Sequence, residues 1–131
     1  MRITLAISLF LCACGPAMQG GGGDIELTAA ATAAGDSIEL TLSNRSGESI
    51  GYNLCTAGLQ QQTMDGTWEA VPTDRVCTME LRTLQSGSTT TYRTTLPPGT
   101  TAGDYRFLAN VELMESGQRR SVTSNIVRVT G

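Results

Sequence analysis

The chain has 131 residues, enough for one domain, and a formal net charge of −3 at pH 7. All nine basic residues are arginines, and there is neither lysine nor histidine. This excludes a Ser–His–Asp or Ser–Lys nucleophile, which needs a base beside it, and the mildly acidic balance without a basic cluster excludes nucleic acid as a partner. Aromatic residues are sparse, Gly and Thr are abundant, and Glu and Gln follow no 3.6-residue pattern. The chain therefore reads as all-β.

Met1-Arg2 supplies a positive start, and residues 3–11 form a largely apolar run. The run falls short of the roughly 20 residues that span a bilayer and suits the hydrophobic region of a signal peptide. It ends in Leu11-Cys12-Ala13-Cys14. These four residues resemble the bacterial lipobox, with Leu at −3, a tolerant −2, a small residue at −1 and Cys at +1. The resemblance implies a signal peptide over residues 1–13, cleavage after Ala13 and lipidation of Cys14, the point of attachment to the membrane. Cys12 fits the +1 place worse, because Leu11 would stand where a small residue is wanted, and it leaves with the leader. The competing reading is an ordinary secretory leader cut near Ala17.

Gly15, not Asp, follows Cys14. By resemblance to enterobacterial sorting, this implies the outer membrane in preference to the inner one. A triacylated cysteine carries more than one chain, which gives stable anchoring where a single chain is marginal. Residues 14–23 are then anchor and tether, and the nine residues after Cys14 form a flexible coil reaching roughly 15–18 Å. Loss of the leader leaves eight arginines against twelve carboxylates, a net charge of −4.

Three cysteines survive cleavage: Cys14, Cys55 and Cys77. With Cys14 acylated, the other two form an even set in an oxidising compartment. A Cys55–Cys77 bridge would close a loop of about 23 residues, worth roughly 3 kcal/mol on the loop-entropy model. The rival is a two-thiolate metal or redox site, for which the sequence offers no CxxC spacing and no His.

Residues 24–131 read as alternating runs separated by turn residues. Residues 25–29 form a first strand, and an alanine-rich stretch leads to the turn Gly35-Asp36. In residues 37–43, Ile38, Leu40 and Leu42 face inward while Glu39 and Thr41 face outward. Asn44 to Glu48 turns the chain into a strand over 50–55. Residues 59–64 and 67–71 form a hairpin around Asp65-Gly66, which gives Trp68 a partner strand. Residues 72–85 are the least regular part. Strands follow over 89–96, over 105–113 with Tyr105, Phe107, Ala109, Val111 and Leu113 on one face, and over 120–130. In the last, Val127 and Val129 are out of phase with Val122, so a bulge or kink is expected near Ser124-Asn125. Arg119-Arg120 sits at the expected hairpin tip. Many short strands without a long helix suggest an immunoglobulin-like sandwich.

The stretches SNRSGESIGYNLC, DGTW, GDYRF and SNIVRV together resemble bacterial Ig-like domains of secreted and lipid-anchored proteins. The resemblance implies an immunoglobulin-like Greek-key β-sandwich of seven to nine short antiparallel strands. It gives Tyr105 the role of the tyrosine corner, with its hydroxyl bonded to backbone upstream over residues 96–100; plain core packing is the alternative for this side chain. The cysteine spacing departs from the Ig pattern, so Cys55–Cys77 would pin a local excursion.

Candidate carboxylate pairs, Asp104 with Glu112 and Asp65 with Glu69, fall at turns or on outward positions, where solvated faces are the default. Met64, Met79 and Met114 lack ligand spacing and read as core filler; calcium at an Asp65 or Asp104 loop is a lesser alternative. No catalytic residue, metal or cofactor is expected, and the protein is read as a non-enzyme. The leading expectation is a lipid-anchored binding or accessory module with a protein or envelope partner. The alternatives are a structural envelope protein and a protease inhibitor, since some bacterial Ig-like domains resemble intracellular proteinase inhibitors. An inhibitor would present Gln60-Gln61-Gln62 or Val71-Pro72-Thr73 from the disulfide-bracketed loop.

Overall fold

The computed structural model describes residues 24–32 and 37–130. The leader, Cys14, the tether and the Gly35-Asp36 turn lie outside the described residues. Within them, alternation decides most strands: Ile25, Leu27 and Ala29 of β1 (Ile25–Ala31) and Ile38, Leu40, Leu42 and Asn44 of β2 (Ser37–Asn44) are buried in alternation. Eight further strands follow: β3 (Ile50–Tyr52), β4 (Gly58–Gln62), β5 (Trp68–Val71), β6 (Arg82–Leu84), β7 (Thr89–Thr95), β8 (Gly103–Leu113), β9 (Arg119–Thr123) and β10 (Val127–Val129). The fold is an all-β sandwich of antiparallel strands. The smaller sheet has the order β1-β2-β7; the larger runs β5-β4-β8-β3-β6, with β9 and β10 also paired to β8.

The ten strands exceed the expected seven to nine, and the excess comes from specific places. Arg82–Leu84, expected to be irregular, pairs with β3 as β6. The expected final strand divides into β9 and β10. Continuing the Leu108–Thr123 pairing would set Ile126 opposite Tyr105, but Val127 stands there, so the chain slips by one residue. Ser124 bridges the slip: its N–H donates to Phe107 O at 2.8 Å, and its hydroxyl accepts from Phe107 N at 2.9 Å. The bulge turns Val127 into the core and leaves Ile126 exposed. Arg119 and Arg120 open β9 and are not at the hairpin tip.

The expected strand over 50–55 ends at Tyr52, and Leu54–Thr56 forms a 3-10 turn. Continuing the Tyr52–Val111 pairing would set Cys55 opposite Leu108, where Gly58 stands instead. Three residues are therefore looped out between β3 and β4, and Cys55 is carried out of the ladder.

The core lies between the sheets. Ile25, Leu27, Ile38, Leu40 and Leu42 face Ile50, Leu59, Tyr105, Phe107, Val111 and Leu113. The inward side of β7 is polar by comparison, with Thr90, Tyr92 and Thr94, and the buried Thr94 hydroxyl has no hydrogen-bond partner among the described residues. The methionines do not fill this core: Met64 and Met79 are essentially fully exposed, at 107% and 96%, and Met114 is about half exposed. They sit at the hairpin tip, in the irregular segment and beyond the end of β8, where no opposing sheet covers them.

Two asparagines join elements that the ladders do not. Asn44 is fully buried; its amide donates to Glu48 O at 2.9 Å and Leu84 O at 3.0 Å, and its oxygen accepts from the Ser46 N–H and hydroxyl. Asn125, at the bulge, accepts from Ala29 N at 2.8 Å and donates to Ala29 O at 2.9 Å, tying the edge of β1 to the other sheet. Asn44→Ala strands buried carbonyls and is expected to cost about 2–3 kcal/mol, and the part-buried Asn125→Ala about 1 kcal/mol. Thr94→Val, which removes an unpaired buried hydroxyl at constant shape, is expected to gain roughly 1 kcal/mol. Urea midpoints at unchanged slope measure all three.

Candidate functional site at the disulfide-strapped segment

The looped-out turn between β3 and β4 begins at Asn53, whose side chain accepts from Cys55 N at 3.2 Å. Thr56 and Ala57 N–H groups close back on Asn53 O and Leu54 O. The turn presents Cys55 to Cys77, and the two are joined as a disulfide with Cα atoms 5.8 Å apart. Two further ties hold the facing segment. The Arg75 guanidinium donates to Cys55 O at 3.2 Å and Ala57 O at 3.3 Å, and Asn53 Nδ2 donates to Thr78 O at 2.8 Å. Residues 72–81 thus lack regular structure yet are strapped across the turn from both sides. Val76, in the middle of the strap, is 97% exposed.

Between this strap and β7 lies an open groove of about 290 Å³, bordered by Tyr52, Cys55, Val76, Cys77, Thr90 and Tyr92. Tyr52 Oη reaches Thr90 Oγ1 at 3.5 Å across it. On the outer face of the larger sheet, Leu81 and Met114 lie over Gly51; a Cβ there would stand 2.8 Å from Leu81 Cδ2, so glycine lets them settle on the sheet.

Other candidate residues are dispersed. The buried Tyr105 ring fills the core while its hydroxyl donates to Thr101 O at 2.7 Å, one residue beyond the expected stretch 96–100. Gln60 and Gln61 are paired on both sides, with β5 and with β8, and Gln62 with β5 alone, so this run is not free to be presented. Pro72 and Thr73 lie beyond the ladder and are exposed. Trp68 lies on the outer face under Arg106, whose guanidinium carbon is 4.2 Å from the ring centroid and whose Nε donates to Gln60 Oε1 at 2.7 Å. Asp104 and Glu112 lie eight residues apart on one strand, roughly 27 Å, and Asp104 pairs with Arg128 at 3.0 Å. Among the described residues no three His, Cys, Asp or Glu side chains gather as a metal site.

Two exposed carboxylates hold turns. The Asp65 carboxylate accepts from the Thr63 hydroxyl and from the Thr67 hydroxyl and N–H, and these bonds hold it below the ordinary aspartate range. The Glu48 carboxylate accepts from Ser116 N at 3.1 Å, Glu115 N at 3.0 Å and the Ser116 hydroxyl, which lower it likewise. Arg75 and Asn53 were not legible as anchors in the sequence. Their partners are carbonyls, which every residue carries, so only the fold shows which ones they meet.

No protein-family model matches the chain, and no curated protein matches it. Solved structures share its fold. The structural-genomics target SoR45 superposes with a TM-score of 0.53 at 15% identity, over 82% of this chain and 83% of that one. The putative ApaA protein from Bordetella pertussis superposes with a TM-score of 0.53 at 13% identity, over 81% and 90%. At these identities the likeness is one of fold.

Cys55→Ser with Cys77→Ser is expected to cost roughly 3 kcal/mol by releasing a loop of that length in the unfolded chain, read as a lowered urea midpoint. Because Glu48 and Asp65 are lowered in the folded state, their contribution is complete above the ordinary carboxylate range. It is lost as pH falls through the lowered folded values. Glu48→Gln and Asp65→Asn should therefore flatten the acid limb of stability against pH and leave neutral pH dependence unchanged.

Proposed function

We propose that the protein is a lipid-anchored, non-enzymatic binding module of the bacterial cell envelope, held in the outer membrane by a lipidated Cys14 and carrying an immunoglobulin-like Greek-key domain that engages a protein or envelope partner. The observation that carries this reading is the Cys55–Cys77 bond. It leaves Cys14 as the one cysteine outside both the leader and the bridge, at the +1 place of a lipobox-like sequence.

The Ig-like reading is supported by strand order. β1-β2-β7 follows the A-B-E order of an Ig sandwich, and β3 with β4, then β8, then β9 with β10, follow C-F-G. Tyr105, at the start of the strand in the F place, bonds to backbone upstream as a tyrosine corner does. The non-enzymatic reading rests on composition, since without His or Lys the residue types that most often activate a nucleophile are missing.

A second reading, inhibition of a protease, is favoured by the exposed strap at Pro72-Thr73 and Val76 beside the disulfide. Full activity of serine and metalloproteases under excess soluble domain would sink it.

For the leading reading, intact-mass measurement of protein from native membranes should show an acylated Cys14 as first residue and a mass about two daltons below the reduced form. Cys14→Ser should move the protein from the membrane to the soluble fraction without changing its urea midpoint. A variant that stays in the membrane overturns the anchor.

A further inference from the structure

We infer that the free edge of β7 is the docking site for one extended segment of a partner protein, which adds as a fourth strand to the smaller sheet. This rests on the binding-module reading and names the surface and the kind of partner.

In an antiparallel pair, successive residues turn their main-chain groups alternately toward the partner and away from it. Asn44 N donates to Ser88 O, which sets the even-numbered residues of β7 toward β2. The N–H and C=O groups of Thr89, Thr91, Arg93 and Thr95 therefore point the other way, where no strand pairs with them among the described residues. The opposite edge of the same sheet is treated differently. There Ala29 turns both main-chain groups outward, and the Asn125 side chain takes both.

Exposed edges are ordinarily blunted by proline, bulges, charges, a covering helix or loop, or very short length. β7 has seven residues, no proline and no bulge. All seven residues keep one register with β2, and the sole charge, Arg93, lies on the solvent face 3.8 Å from Glu39. Five of the seven are threonine, whose β-branched side chain favours the extended backbone. In the A-B-E-D order of an Ig sheet, the place beside β7 belongs to strand D. Here the chain passes from β5 through the strap to β6, which joins the larger sheet instead.

The groove settles what fits. It runs beside Thr90, Thr91 and Tyr92 and is closed on its far side by Val76, Cys77 and Thr78. A strand added to β7 would lower alternate side chains into it, next to Tyr52. A single extended segment, carrying small or polar residues at the inward positions, suits a groove bordered by Thr78, Thr90 and Thr91. Main-chain bonds would supply affinity, and the groove would select the inward side chains.

The test uses the full chain and a phage-displayed library of linear dodecapeptides. Selected peptides should slow amide exchange at Thr91 and Arg93 about tenfold or more, while Tyr92 and Thr94, already bonded to β2, stay as they were. Thr91→Pro removes an outward N–H and no bond to β2, and should weaken binding about tenfold or more. Should that variant misfold, Arg93→Pro and the exchange pattern of the unmodified chain carry the decision.

Peptides that protect another surface, or bind Thr91→Pro undiminished, overturn the β7 site and leave the module reading standing. Thr91 and Arg93 amides already slow in the free chain also overturn it, with concentration dependence marking a second copy and its absence marking a segment of the chain itself. A library that yields no peptide overturns the site, and a cross-linking experiment in intact envelopes that captures no neighbour then removes the module reading as well.

Discussion

The larger sheet depends on one strand. β8 is eleven residues long, and β3 and β4 pair along one of its edges while β9 and β10 pair along the other. Its inward residues from Tyr105 to Leu113 are all buried, so its register is set by core packing along its whole length. Neither neighbouring chain segment matches it continuously. Each is broken, and each resumes in a new register through a device built from short polar residues: the Asn53 turn on one edge and the Ser124 bulge on the other.

Those devices do more than repair pairing. The three residues looped out before β4 carry Cys55 to the surface, where the strap is fastened. The one residue gained at the bulge frees Asn125 to reach β1 in the opposite sheet. Irregularity along β8 is thus converted into the links that close the sandwich. Asn44 plays the same part at the end of β2, where a fully buried amide meets carbonyls from two other segments and leaves no polar group of its own unpaired.

Much of this was legible in the sequence. β1, β2, β7 and β8 alternate cleanly because each has one buried face, and Val127 out of phase with Val122 announced the bulge. The Cys55–Cys77 pair followed from counting. β6 was hidden because three residues hold only one inward side chain, Leu84, too few to show a period. The methionines misled, since hydrophobicity alone does not say whether another layer lies above a residue. Asn44 read as a turn residue and Asn125 as part of a bulge, although both work at long range. The groove and the open edge of β7 could not be seen at all, because they arise from where β6 goes rather than from what β7 contains.

The Asn125 tie to Ala29 bears on stoichiometry. A sheet open at both edges can be extended in either direction and can propagate into a fibre. With the β1 edge occupied at its centre by a side chain that already satisfies both backbone groups, growth is possible on one side alone. With Asn125 holding the β1 edge, the edge of β7 is the one the smaller sheet leaves open to a further strand among the described residues.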